Sequence, residues 1–211
     1  GVLAAAVGAA VLLLPDSAPG LTATVADTIE RSGVSNPVTA VLLNFRGYDT
    51  LLESVVLVVA LVGVWSLGAE QFWGGRPGLK QHARTDGVLA YFGRMLPLVG
   101  LLVGIHLLWA GAHAPGGAFQ AGTVLAAVWL LVAMAGLRDA PPVASTRLRL
   151  MIVLGPMWFL AVGAIGAIAG SFLGLPEAFA GELILAIEVL LTLSIAVTLV
   201  LLVLGVPGRT A

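Results

Sequence analysis

The chain has 211 residues, of which 59% are hydrophobic and only 10% charged, and its mean hydropathy is +1.06. That composition excludes a soluble globular domain, and long apolar runs without period-two alternation make the chain an all-α integral membrane protein rather than a barrel. A net charge of −1 excludes a basic nucleic-acid surface, and the absence of cysteine removes disulfides and thiolate chemistry.

Six apolar segments follow in order. The first, Val2–Leu14, is short for a span of about 20 residues. It starts at Gly1 without a methionine and lacks the basic n-region of a signal peptide, so it reads as a trimmed span. From Pro15 to Leu43 the chain is more polar. Within that stretch Thr22–Ser32 has the look of a short amphipathic helix lying on the membrane surface. Pro37, just after Asn36, suits the start of another helix leading to Phe45. Next comes Asn44-Phe45-Arg46-Gly47-Tyr48-Asp49-Thr50-Leu51-Leu52-Glu53, which runs straight into an apolar stretch. The second span, Asp49–Leu67, therefore has Arg46 and Asp49 at its mouth and Glu53 inside it. The segment Gly68–Gly87, with Gly74-Gly75, Pro77-Gly78 and mixed charge, has the marks of a linker. Four more spans are expected at Val88–Ala110, Phe119–Leu137, Leu150–Leu173 and Leu183–Val206. The chain thus divides into a two-span unit (1–70), a cytoplasmic linker (71–87) and a four-span unit (88–211). Gly100-x-x-x-Gly104 and Gly166-x-x-x-Gly170 would allow close helix approach in a larger assembly. Pro97 and Pro156 are candidates for kinks.

The ten Lys and Arg residues orient the spans. With the N-terminus inside, Arg76, Lys80, Arg84, Arg138, Arg147, Arg149 and Arg209 fall in cytoplasmic segments, and only Arg31 and Arg46 fall outside. Arg94 sits near the inner end of the third span, where it can snorkel. Seven against two is a positive-inside asymmetry, and it places both termini in the cytoplasm. The outside carries Asp16, Asp27, Glu30 and Glu177.

The polar residues of the spans then sort by depth. Asp49 and Glu53 are four residues apart, on one helical face and about 5.4 Å from one another along the axis. His106 lies in the outer half of the third span and Gln120 at the outer end of the fourth. Glu182 stands at the outer end of the last span, with Glu188 roughly 9 Å deeper. Ionisable groups within a bilayer are costly and tend to mark ion or proton routes, so Asp49, Glu53, Glu188 and His106 are the candidates for an ion path. Arg46, Gln120 and Glu182 are supporting residues. Each has a plainer alternative. Asp49 would also serve as an interfacial anchor paired with Arg46, Glu188 as a buried hydrogen bond between helices, and His106 as a structural side chain. His82 and His113 lie in loops and read as solvated. The polar set is confined to the outer half, as in an entry funnel. No phosphate-cradling loop, metal-ligand spacing or nucleophile–base pair is present, so no catalytic residue, cofactor or metal is expected.

Two stretches carry a family resemblance. Asn44–Glu53 resembles the FRGFDTLGE segment of the small MbhE module found in membrane-bound hydrogenases and at the C-terminal end of the large Mrp antiporter protein. His113-Ala114-Pro115-Gly116-Gly117-Ala118-Phe119-Gln120-Ala121-Gly122 is similar to the PGGGFQGG loop of the MnhB family. The resemblance implies a non-catalytic membrane subunit of an Mrp-type multisubunit Na+/H+ antiporter, in a prokaryotic plasma membrane, beside other membrane subunits and carrying Na+ or H+. The alternative it implies is a structural or coupling subunit of a hydrogenase-like or other complex I-related complex, including an ion-driven uptake system, with any catalysis on a partner. It maps the family's acidic pair onto Asp49 and Glu53. The sequence departs from the family at Leu52, Ala118 and Ala121, where glycines are usual, and it places Glu188 where an aspartate is usual.

Overall fold

The computed structural model describes residues 1–13, 20–78, 86–168 and 170–209. Asp16, Lys80, His82 and Arg84, assigned above to the outer and cytoplasmic segments, lie outside the described residues. The helices are α1 (Val2–Leu12), α2 (Thr22–Thr28), α3 (Pro37–Ala40), α4 (Gly47–Ser66), α5 (Val88–Ala110), α6 (Ala118–Met134), α7 (Thr146–Ile168) and α8 (Ala180–Leu204). Two short strands, β1 (Arg76–Pro77) and β2 (Pro207–Arg209), pair antiparallel.

Among the described residues, four helices are long and apolar enough to cross a membrane: α4, α5, α7 and a segment from Glu177 through α8. The α1 and α6 helices are apolar but shorter. The chain is a multi-pass helical membrane protein, and α8 is its axis. Of the apolar window in that last segment, 61% is buried inside the protein, against 17% for α5. It packs on α6, α7 and α4, while α5 packs on α6. One core cluster joins Leu43, Leu51, Phe159, Leu173, Ile184, Ile187 and Leu191; a second joins Leu61, Leu148, Ile152, Val197 and Leu201. The α1 helix buries none of its residues.

With no hydrophobic drive between helices in lipid, close packing at small residues takes over. A Cβ on Gly100 would lie 2.1 Å from Cγ2 of Val128, so α5 and α6 touch at that glycine. Gly104 meets Leu125 in the same interface, so this pair of glycines serves contact within the chain. Gly166 and Gly170 do not form a second such motif. Gly170 lies past the end of α7 with φ +120°, and Gly166 receives the returning backbone of Ser171 and Gly174.

That return also shortens the fifth span. It ends at Ile168 rather than Leu173 because the chain folds back on its last turns. The Ser171 amide donates to the Gly166 carbonyl (3.1 Å) and the Leu173 amide to Gly163 (3.3 Å). Leu173 is thereby delivered to the core, buried at φ +60°. The fourth span ends at Met134, where Gly136 takes φ +66° and the Leu137 amide bonds the Val132 carbonyl.

Expected helix starts are found. Asn36 caps α3, its Oδ1 accepting from the Val38 amide at 3.1 Å, with Pro37 in the first turn. The helix then widens into a π turn over Val41–Phe45 before α4 begins. Thr22–Ser32 is helical, finishing in a 3₁₀ turn over Ile29–Ser32. Residues 69–78 of the linker are docked: the Val143 and Ala144 amides donate to Gly75 and Gly74 (2.8 and 3.0 Å), and β1 pairs with β2.

The antiparallel helices gather Arg76, Arg138, Arg147, Arg149 and Arg209 at one end of the bundle, at the tips of α4, α6, α7 and α8. Arg31, Arg46, Asp49 and Glu177 occupy the opposite end.

Gly155 tests the α7–α8 contact. Its Cβ would meet the Leu191 Cα at 2.8 Å and the Leu190 carbonyl at 2.9 Å, both backbone. Gly155→Val is expected to destabilise the protein by about 2 kcal/mol. Gly63→Ala, facing open space in α4, is expected to be neutral or to stabilise by up to about 1 kcal/mol. Thermal unfolding of the purified protein in detergent distinguishes the two.

Candidate functional site

Glu188 is the most deeply buried carboxylate among the described residues, with only 3% of its surface exposed. It projects from the middle of α8 toward the α5–α6 loop. The backbone amide of Ala118, in the first turn of α6, donates to its carboxylate. Helix N-termini favour anions because their first amides lack intrahelical partners. Glycines make the approach possible. A Cβ on Gly117 would lie 2.9 Å from the Glu188 Oε1, and one on Gly111 would lie 3.2 Å from it. Gly117 also holds φ +110°, which a side chain would strain.

The loop around Glu188 is held from the other side by the segment before α4. Asn36 Nδ2 donates to the carbonyls of Gly111 (2.9 Å) and Ala114 (2.8 Å). Thr39 Oγ1 donates to Gly111 as well, at 2.6 Å. The amides of Ser35 and Asn36 both donate to the Ala112 carbonyl at 3.0 Å. Residues 35–39 thus fasten the loop that encloses the carboxylate. Thr50, in α4, closes the π turn by donating to the Leu42 carbonyl at 2.7 Å.

Between these pieces lies a cavity of about 330 Å³. It is lined by Glu53 and Thr50 from α4, Thr39 from α3, Gly117 and Gln120 from the loop and α6, and Glu188 from α8, with apolar side chains between them. The structure therefore brings three sequence candidates together: Glu53, Glu188 and Gln120. Glu188 is buried, whereas Glu53 and Gln120 are exposed. A buried carboxylate and an exposed one thus line the same small cavity, a pairing of ionisable groups of the kind that marks ion or proton routes in membranes.

The other candidates stand apart. Asp49 is at the mouth of α4, paired with Arg46 at 2.6 Å, and both are more than half exposed. It does not line the cavity, although it shares a helix face with Glu53. His106 is exposed on α5, two residues from the glycine that meets α6 and so on the opposite side. It does not reach Glu53 or Glu188. Glu182 is exposed at the start of α8. Arg94 is likewise exposed. A larger groove of about 590 Å³ lies nearby, walled by Leu21, Val25, Phe45 and Leu175. Its polar rim is already paired: Arg31 with Glu177 at 2.6 Å, and Arg46 with Asp49. His113 is exposed, with Nδ1 at 3.0 Å from the Ser35 hydroxyl. Among the described residues no three His, Asp or Glu side chains converge as a metal site.

Asn36 and Thr39 are the site residues that sequence reasoning missed. Asn36 is visible as a helix cap, but nothing in its sequence neighbourhood announces bonds to residues more than seventy positions away.

This arrangement defines a helical membrane protein whose buried acid is enclosed by a glycine loop between two spans. The chain belongs to the family of domains related to the MnhB subunit of Na+/H+ antiporter, which it matches over residues 88–206. That stretch contains the loop, α6, α7 and Glu188. Among curated proteins, an uncharacterized protein of Methanocaldococcus jannaschii is 29% identical over 155 residues, covering 66% of this chain. The chain spans about 59% of that relative's length. Among solved structures, a chain of the membrane-bound sulfane sulfur reductase, an archaeal respiratory membrane complex, has the same fold. It superposes with a TM-score of 0.75 and 24% identity, over 96% of this chain and 92% of its own. A chain of the Mrp complex from Dietzia sp. DQ12-45-1b superposes with a TM-score of 0.66 and 24% identity, over 99% of this chain and 25% of its own.

Asn36→Ala would leave the Gly111 carbonyl oxygen with one side-chain donor, Thr39, and would take the Asn36 donor from the Ala114 oxygen. It is expected to destabilise the protein by about 2 kcal/mol, the range for removing one partner of buried hydrogen bonds. Ser35→Ala removes an exposed hydroxyl with its solvent-exposed hydrogen bonds to His113 Nδ1 and the Ala112 carbonyl, and is expected to fall within about 0.5 kcal/mol of the parent. Chemical or thermal unfolding in detergent measures both.

Proposed function

We propose that this chain is a membrane subunit of an antiporter-like multisubunit complex and contributes part of a cation or proton path. The observation that carries this reading is the shared cavity of Glu53 and Glu188, one from the segment before the linker and one from the MnhB-related domain. Positive charge at the opposite end of the bundle supports an orientation with Glu53 and Glu188 toward the outside and both termini in the cytoplasm. Ions would enter past the Arg46–Asp49 pair, reach Glu53, and be handed to Glu188. Gln120 would orient the transfer. The described residues place no further carboxylate along the inner half of α8, so the onward route belongs to another subunit. His106, on the outward side of α5, would act only where a partner subunit covers it. Glu182 stays a supporting residue at the outer rim. On this reading the chain moves ions and catalyses no reaction.

We also read residues 1–70 as an MbhE-like unit joined through 71–87 to the MnhB-related unit at 88–211. The near full-length superposition on one chain of a respiratory complex supports a second use of the same module. There it would brace or couple larger subunits in a membrane-bound, hydrogenase-like or ion-driven uptake complex. The two readings differ in what Glu188 is for.

In the intact complex, reconstituted in vesicles, Glu188→Gln and Glu53→Gln are each expected to slow cation-coupled proton movement by tenfold or more. That corresponds to about 1.4 kcal/mol of lost stabilisation. Assembly, followed on native gels, should be unchanged. Normal transport in both variants would sink the ion-path reading. Loss of assembly with normal transport per assembled complex would favour the bracing role.

A further inference from the structure

A second groove, of about 380 Å³, lies at the cation-rich end of the bundle, far from Glu188. Val58, Val62 and Trp65 of α4 form one wall, and Ile152 and Val153 of α7 form the other. Arg149, Trp73 and Pro207 stand at its rim. Two observations describe its ligand. The guanidinium of Arg149 is anchored at one corner: its Nε donates to the Val143 carbonyl at 2.9 Å, which leaves the terminal nitrogens available to an anion. The apolar wall is continuous with helix surface that faces outward, with Val62 57% and Val153 37% exposed.

An apolar slot that ends in an arginine has the polarity of a lipid standing upright in a leaflet. Tryptophan and arginine sit at the membrane interface, and basic pockets between membrane helices on the cytoplasmic side bind anionic head groups. The charge balance of this end is also right. Arg209 is offset by Asp139 at 3.3 Å. Arg76 and Arg149 are held by the neutral carbonyls of Ala140 and Val143, which leaves their charge at this end, and of the two it is Arg149 that lines the groove.

We propose that this groove binds one anionic phospholipid. Its phosphate meets the Arg149 guanidinium, and an acyl chain lies along Val58, Val62 and Val153. The site needs only that the chain spans a membrane, and it stands whether or not Glu53 and Glu188 carry ions.

The test uses the full chain with whatever subunits copurify, delipidated in detergent and titrated with dioleoyl phosphatidylglycerol or dioleoyl phosphatidylcholine under native mass spectrometry. The parent protein is expected to bind one phosphatidylglycerol about tenfold more tightly than phosphatidylcholine. Arg149→Gln should abolish that preference and Arg149→Lys should retain most of it. Val153→Trp, at a lipid-facing position, should block binding by filling the slot. Equal affinity for the two lipids in the parent, or binding unaffected by Val153→Trp, would overturn the proposal. So would a photo-crosslinker at Val62 that, in native membranes, captures a polypeptide and no lipid.

Discussion

A carboxylate in the middle of an apolar helix has to be enclosed by something polar, and in this protein Glu188 organises its surroundings to that end. The α6 helix starts where its first-turn amide can meet the Glu188 oxygens. The α5–α6 loop is glycine-rich because a side chain at Gly117 would occupy the space of Oε1. The segment before α4 carries Asn36 and Thr39 because the loop carbonyls left over from this tight path need donors. One buried acid thus accounts for features in three stretches of the chain. The same enclosure leaves one side open, and Glu53 and Gln120 face that opening.

The scaffold beneath the site is built on close contact. Without water to drive helices together, α5, α6, α7 and α8 depend on positions where a glycine lets backbones approach. Buried hydroxyls contribute as well. Thr192 and Thr198 return their hydrogen bonds to their own helix at 2.7 Å, and Ser194 reaches the Ile152 carbonyl of α7. Polar side chains of this size are satisfied locally, so α8 can be buried without an unpaired group along its length. Trp65 departs from that economy, since its buried indole N–H has no partner among the described residues.

Much of this is legible in the sequence because it follows from composition and local stereochemistry. Hydropathy locates the spans, Pro37 after Asn36 marks a helix start, and Gly100 with Gly104 marks a helix contact. What escapes is long-range. The end of α7 depends on a reverse turn that uses Gly170 and Leu173, and an apolar run through Phe172 looks the same whether or not it stays helical. His106 has suitable chemistry and depth, yet its face of α5 is decided by where Gly100 and Gly104 turn, a rotation visible only when both are known to touch α6. Asp49 and Glu53 share a face by periodicity, but Arg46 claims the first and the cavity takes the second. Gly166 and Gly170 show the limit of motif reading, since spacing alone does not say whether a helix is still present at the second glycine.

The small ribbon of β1 and β2 has a consequence for synthesis. Arg209 donates to the Gly78 carbonyl across 131 residues of chain. At a translation rate of roughly 10 residues per second, the linker emerges on the order of ten seconds before its partner strand exists. Until then residues 76 and 77 lack the strand that pairs with them, so the ribbon closes only after α5 through α8 have been made.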